Sequence, residues 1–298
     1  MLMTESADQA TKRARRPLRT TTMALALVAL AMTAIAACGE EPTFPDDSFA
    51  VVANADIGTG PSRLLIGVVS ESGSRLGSPE DSIIVRVERA NDPSSEVTVE
   101  PTFLWIIDGA IGLWRADVEF DQAGPWQLTV EPASGNPLEP IQFLVLDETY
   151  APNIGDAAPA STTPTLADRT MAELTSDSDP DERFYEVSLD DAIANGDETV
   201  LVFSTPAYCV SAACGPLLNI VKDVASEFPD TRFIHVEVYE GITEPDFVPD
   251  VDHLAPSVGP DEWNLPSEPW VFVIDGSGVV SARFEGVMDA AELLKALG

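Results

Sequence analysis

The sequence predicts a multidomain protein in which an all-β sandwich is followed by an α/β region. Three observations predict it. Residues 49–148 hold short apolar and β-branched runs punctuated by Gly, Pro, Asp and Ser, with no helical period between them. From residue 199 onward the runs alternate strand, helix, strand and then, past an insert, strand, strand, helix. Between these regions, 149–183 has the composition of a spacer. At 298 residues the chain is long enough for two cores.

The amino-terminal segment reads as a targeting signal. Lys12, Arg13, Arg15, Arg16 and Arg19 form a basic region, and 23–34 is an apolar run too short to span a membrane comfortably. Ile35-Ala36-Ala37-Cys38 then resembles the bacterial lipobox. That resemblance implies a lipoprotein signal peptide over 1–37, cleavage before Cys38 and a diacylglycerol on its sulfur. The lipid would anchor the protein on the extracytoplasmic face of a bacterial cell membrane, with 38–48 as a flexible tether.

Charge narrows the partners. Five of the 16 basic and two of the 50 acidic residues precede Cys38, which leaves 11 against 48 and a formal charge of −37. Such a surface repels nucleic acid and anionic lipid, so no nucleic-acid partner is expected and the membrane contact falls to the lipid. Solubility is the simple reading of the charge, and cation attraction the sharper one.

Within 49–148 the expected strands are 63–70, 82–89, 96–101, 112–120, 126–132 and 141–147. Ile83, Val85 and Val87 alternate with Ser82, Ile84, Arg86 and Glu88, so one face is buried. Trp105, Trp114 and Trp126 are expected in the core. The segment GLWRADVEFDQAGPWQLTVEP (112–132) resembles the closing hairpin of small extracytoplasmic Ig-like modules, some of which accompany copper-handling proteins. The region has no His, Cys or Met to serve as a copper ligand.

The linker 149–183 combines APNIGDAAPASTTPTLAD with the acidic TSDSDPDE, a composition that favours an extended spacer. Residues 184–298 form the second domain. Strands are expected at 199–203, 233–239, 270–274 and 279–284, the last two joined by Asp275-Gly276-Ser277-Gly278. Leu217, Ile220, Val221, Val224 and Phe228 lie at helical spacing over 216–228, and Asp289 caps a helix over 289–297.

Cys209 and Cys214, in FSTPAYCVSAACGP, sit where the strand at 199–203 gives way to the helix. A thiol there can act as a nucleophile, because the amino end of a helix favours the thiolate. With Cys38 committed to lipid, they form one pair in a compartment that permits disulfides. "LVFSTPAYC" resembles the strand that leads into the redox site of thioredoxins, and "SEPWVFVIDGSGVVSARFEG" resembles their hairpin that opens on a cis-proline. The resemblance implies a thioredoxin-like fold over about a third of the chain and a cis bond at Glu268–Pro269. It also implies thiol–disulfide oxidoreductase roles. Cys209 would be the nucleophile, Cys214 would resolve the mixed disulfide, and Pro269 would shape the groove for protein thiols and disulfides. No cofactor is implied.

The departures from that family keep other readings open. Four residues separate the cysteines where thioredoxins have two, Phe203 stands where they often keep a buried acid, and Glu268 lies beside the sulfurs, where an ionised carboxylate raises a thiol pKa. A structural disulfide in a binding or scaffold protein fits the same residues. Sco-type copper chaperones pair two thiolates with a distant histidine. Here the cysteine spacing is one residue too long, His235 alternates within a strand and reads as a core residue, and His253 lies in an acidic insert. Two-cysteine peroxiredoxins share the four-residue spacing, but the position they need as Thr or Ser is Pro206, and Thr205 is one residue off. The insert 240–262, with Pro245, Pro249, Pro256 and Pro260, replaces a crossover helix and is expected to cover the redox site or dock a partner.

Overall fold

The computed structural model describes residues 43–298. The signal segment, Cys38 and the start of the tether lie outside the described residues. Among the described residues no helix is long and apolar enough to cross a membrane.

Nine strands come first: β1 (Ser48–Val52), β2 (Gly60–Ser70), β3 (Arg75–Leu76), β4 (Ile83–Arg89), β5 (Asp92–Val99), β6 (Thr102–Ile107), β7 (Ile111–Phe120), β8 (Gly124–Pro132) and β9 (Ile141–Val145). They form two antiparallel sheets, one in the order β1-β2-β7-β6 with β3 beside β2, the other β5-β4-β8-β9. The inward residues of both sheets share one core. Leu64, Ile66, Trp114, Val118 and Phe120 come from the first sheet, and Val85, Val87, Trp126, Leu128 and Val130 from the second. This arrangement fits an Ig-like β-sandwich. Along β4 the expected alternation holds, with Ile83, Val85 and Val87 buried and Ile84 exposed. Burying each such side chain contributes roughly 1.5–3 kcal/mol. Trp114 and Trp126 are core residues as expected, whereas Trp105 is half-buried and packs edge-on against Phe103 at 4.9 Å. Gly77, at φ +116°, passes so close to Trp114 that any Cβ would run into the indole ring.

The remaining elements are α1 (Met171–Leu174), α2 (Leu189–Asn195), β10 (Thr199–Ser204), α3 (Cys214–Ala225), β11 (Arg232–Glu237), β12 (Trp270–Ile274), β13 (Val280–Glu285) and α4 (Ala290–Leu297). The strands form a third sheet in the order β11-β10-β12-β13, parallel only between β10 and β11. This corrects the expected fold class. Strand accounts for 36% of the described residues and helix for 16%, so the described part is β-rich, and the C-terminal region is not a clear α/β thioredoxin-like domain. Part of the physical reason lies between β11 and β12. Pro245, Pro249, Pro256 and Pro260 interrupt any helical ladder there. That stretch instead carries two three-residue 3-10 turns, Val251–His253 and Pro256–Val258. Among the described residues, the only helices longer than seven residues are α3, with 12, and α4, with eight.

The segment 149–183 lies packed on the third sheet. Ala151 and Ala158 join the core with Phe203, Trp263 and Phe272. Gly155 donates to the carbonyl of Val280, and Trp263 donates to the Ser161 hydroxyl at 3.1 Å.

Sandwich and third sheet meet along a polar seam. Arg283 pairs with the fully buried Asp56 carboxylate at 2.7 Å, and Arg63 and Arg115 both grip Glu292, at 2.8 and 2.9 Å. The Glu285 carboxylate accepts from the backbone amides of Ala55 and Asp56, at 2.7 and 3.1 Å, and from the Ser267 hydroxyl at 2.7 Å. Leu65, Leu104, Leu113, Ala213 and Val287 form an apolar cluster beside these polar contacts.

Candidate redox site

β10 is buried along its whole length because it is flanked on both edges, by β11 and β12. Its ladder stops before Pro206, which has no amide hydrogen to donate. The chain then turns through Thr205–Ala213 into α3. Ala212 adopts φ +62°, a left-handed conformation that costs a residue with a Cβ roughly 1–2 kcal/mol. Val210, at the tip, is 96% exposed.

Cys209 and Cys214 form a disulfide across this turn, with Cα atoms 6.0 Å apart. The sulfurs are not equivalent: Cys214 is fully buried in the first turn of α3, whereas Cys209 is half-buried. The Cys214 amide donates to Cys209 Sγ at 3.3 Å, and the Ser211 hydroxyl lies 3.2 Å from the same sulfur. Both contacts, with the helix amino end, favour negative charge on Cys209 once the bond is reduced.

The Glu268–Pro269 bond is cis, as the sequence led us to expect, and Pro269 is buried just before β12. A Glu268 carboxylate oxygen and the two sulfurs all lie within 4.8 Å of one another. The side chain is half-buried, and Oε2 has no hydrogen-bond partner. Burial, followed by repulsion from Glu237, raises its pKa to about 7.

Glu237, at the end of β11, is 6% exposed. Its Oε2 accepts from the Ser176 amide and hydroxyl, at 2.7 and 2.8 Å, and burial raises its pKa. Sequence reasoning passed over Glu237 and Ser176. A carboxylate in a strand with apolar neighbours on either side was the available signal. Ser176 comes from the segment read as a spacer and carried no signal.

His235 takes no part in the sulfur cluster. Its Nε2 lies 3.1 Å from the Ser204 carbonyl, so that nitrogen carries the proton and donates, and Nδ1 accepts from the Tyr185 hydroxyl at 2.7 Å. Burial lowers its pKa to about 4. His253 instead bonds Asp250 at 2.8 Å, and that bond raises its pKa. Phe203 fills the position considered for a buried acid and packs on Trp263 at 5.3 Å. The insert does reach the turn, where Phe247 packs against Tyr208 with ring centroids 4.9 Å apart.

A cavity of about 220 Å³ opens beside the turn, lined by Ser211, Ala213 and Glu268 on one side and by Leu65, Arg75 and Leu113 of the sandwich on the other. The site thus offers one accessible sulfur, one buried sulfur and a carboxyl group poised near neutrality. No family model matches the sequence, and no curated protein is similar to it at a significant level.

Proposed function

We propose that the protein exchanges thiols and disulfides through Cys209 and Cys214 while anchored by lipid on Cys38 at the extracytoplasmic face of a bacterial membrane. The observation that carries this reading is the disulfide with one half-exposed and one buried sulfur at the amino end of α3. In the reduced protein, Cys209 thiolate attacks a substrate disulfide, the substrate S–S bond breaks as a mixed disulfide forms, and one substrate sulfur leaves as a thiolate that takes a proton from solvent. Cys214 then attacks Cys209 Sγ, which re-forms the protein disulfide and releases the second substrate thiol. Protein thiols and disulfides are the proposed partners, and an external dithiol restores the reduced state.

The test is a Cys214→Ser variant incubated with a disulfide-bonded peptide. It should accumulate a mixed disulfide on Cys209, visible by intact mass, whereas the wild type turns the peptide over. A variant that traps nothing contradicts the proposal. For the anchor, detergent-phase partitioning of the expressed protein is expected to disappear with Cys38→Ala. Partitioning that survives this change contradicts lipidation.

A structural staple is the second reading. It is favoured by the complete burial of Cys214 and by the packing of Phe247 on Tyr208 beside the turn. A reduction potential below roughly −300 mV marks a structural disulfide, and a higher one an exchangeable bond.

A further inference from the structure

We propose that Glu268 takes the proton from Cys214 when that thiol attacks, and returns it when the bond is reduced. This inference rests on the exchange reading above. Its ground is geometric. The Cys214 sulfur is fully buried, so bulk water cannot take its proton directly. A Glu268 carboxylate oxygen lies within 4.8 Å of that sulfur and of Cys209 Sγ. Glu268 Oε2 is buried with no partner, leaving a lone pair free to accept. The side chain also lines the 220 Å³ cavity, which gives the proton an exit.

The surroundings suit a group that changes charge. Glu237 faces it from β11, and repulsion between the two carboxylates disfavours ionisation of both at once. Tyr239, just past β11, also feels its charge. Glu285 of β13 is bonded to the neighbouring Ser267 and lines the same cavity, and Arg75 supplies a positive charge on the far wall. Burial and Glu237 together hold Glu268 at about 7, against an ordinary thiol near 8.5.

The steps balance. In the mixed disulfide between Cys209 and a substrate sulfur, the Cys214 S–H proton passes to the Glu268 carboxylate. The Cys214 thiolate attacks Cys209 Sγ, the protein S–S bond forms, and the mixed S–S bond between Cys209 and the substrate sulfur breaks. The departing substrate thiolate takes the proton from Glu268, which is again ionised. Two electrons move from the protein dithiol to the substrate disulfide. An external dithiol reverses the sequence, and Glu268 then donates to the Cys214 sulfur as it leaves.

The experiment follows the reduced full chain with oxidised glutathione by stopped flow. It separates mixed-disulfide formation on Cys209 from its resolution by Cys214 across pH 5–9. For the wild type, resolution is expected to rise with a midpoint near 7. Glu268→Gln should slow it by about 100-fold below pH 7 and move the midpoint into the thiol range, since general bases contribute typically 10²–10⁴-fold. Mixed-disulfide formation should not slow, because the variant removes a carboxylate that raises the Cys209 thiol pKa. Glu237→Gln keeps Glu268 but removes the repulsion, so its midpoint should fall. Resolution in Glu268→Gln at the wild-type rate and midpoint overturns the role of Glu268, and so does an unmoved midpoint in Glu237→Gln. Failure of the wild type to form any mixed disulfide is a different result, and it overturns the exchange reading itself.

Discussion

His235 shows how burial fixes a residue's chemistry. Both ring nitrogens are spent, on Ser204 and Tyr185, and the neutral ring takes up no second proton until the pH is near 4. In the unfolded chain the same ring binds a proton below about 6.5. The unfolded state therefore takes up the proton first, and stability falls as pH drops from 6.5 towards 4. The loss from this one group amounts to about 3 kcal/mol. Glu268 works in the opposite sense. Its folded pKa is raised above its unfolded one, so it favours the fold as pH falls from 7 towards 4.5. Chemical denaturation of the wild type and of His235→Gln at stepped pH separates the two. Relative to the variant, the wild type should lose about 3 kcal/mol of stability between pH 6.5 and 4. Equal slopes would contradict the assignment. The alternation of His235 with Phe233 already marked it as a core residue. Glu237 stands in the same alternation, but its role rests on Ser176, brought in from 61 residues away, and no local pattern reports such a contact.

At the scale of elements, legibility followed the locality of the signal. β10, β12 and the helix after the cysteines were readable because apolar runs and helical spacing are set by neighbours in sequence. The α3 boundary was placed at Pro216, two residues late, because the first turn includes Cys214 and Gly215, neither of which advertises a helix. β1 and β6 were not expected at all. β1 alternates weakly and gains its ladder only by pairing with β2 along Ser48–Val52. β6 sits at the edge of its sheet with β7 as its sole neighbour. The insert was legible as helix-free from its prolines, yet nothing in its sequence says that Phe247 lands on Tyr208. The same distinction explains the corrected fold class. Strand–helix alternation in the last hundred residues suggested an α/β region, but α3 and α4, with 12 and eight residues, weigh little against the thirteen strands of the described residues. In the disulfide turn, Cys209, Cys214 and Glu268 lie within 4.8 Å of one another, and the Glu268–Pro269 bond is cis. The left-handed Ala212 could not have been anticipated, because alanine carries no preference for that conformation.

For the whole molecule, the dominant fact is that the described residues, 43–298, fall in one compact unit. The segment expected to hold two domains apart lies on the third sheet instead. The seam that joins sandwich and sheet is polar and buried, and half of a buried ion pair is costly to leave behind, at about 3–5 kcal/mol. Glu285 draws the consequence together. One carboxylate holds the β1–β2 connection of the sandwich through Ala55 and Asp56, and holds Ser267, the residue before Glu268, on the other side. Neither region can come apart without stranding that charge, so melting should be a single event. Calorimetry of the wild type should give one transition, with matching calorimetric and van't Hoff enthalpies. Glu285→Ala should lower the midpoint and split the transition in two, and a wild type that already melts in two steps would contradict this. The seam thereby sets the cooperativity of the protein, and the sandwich and the disulfide turn survive heat, or fail, together.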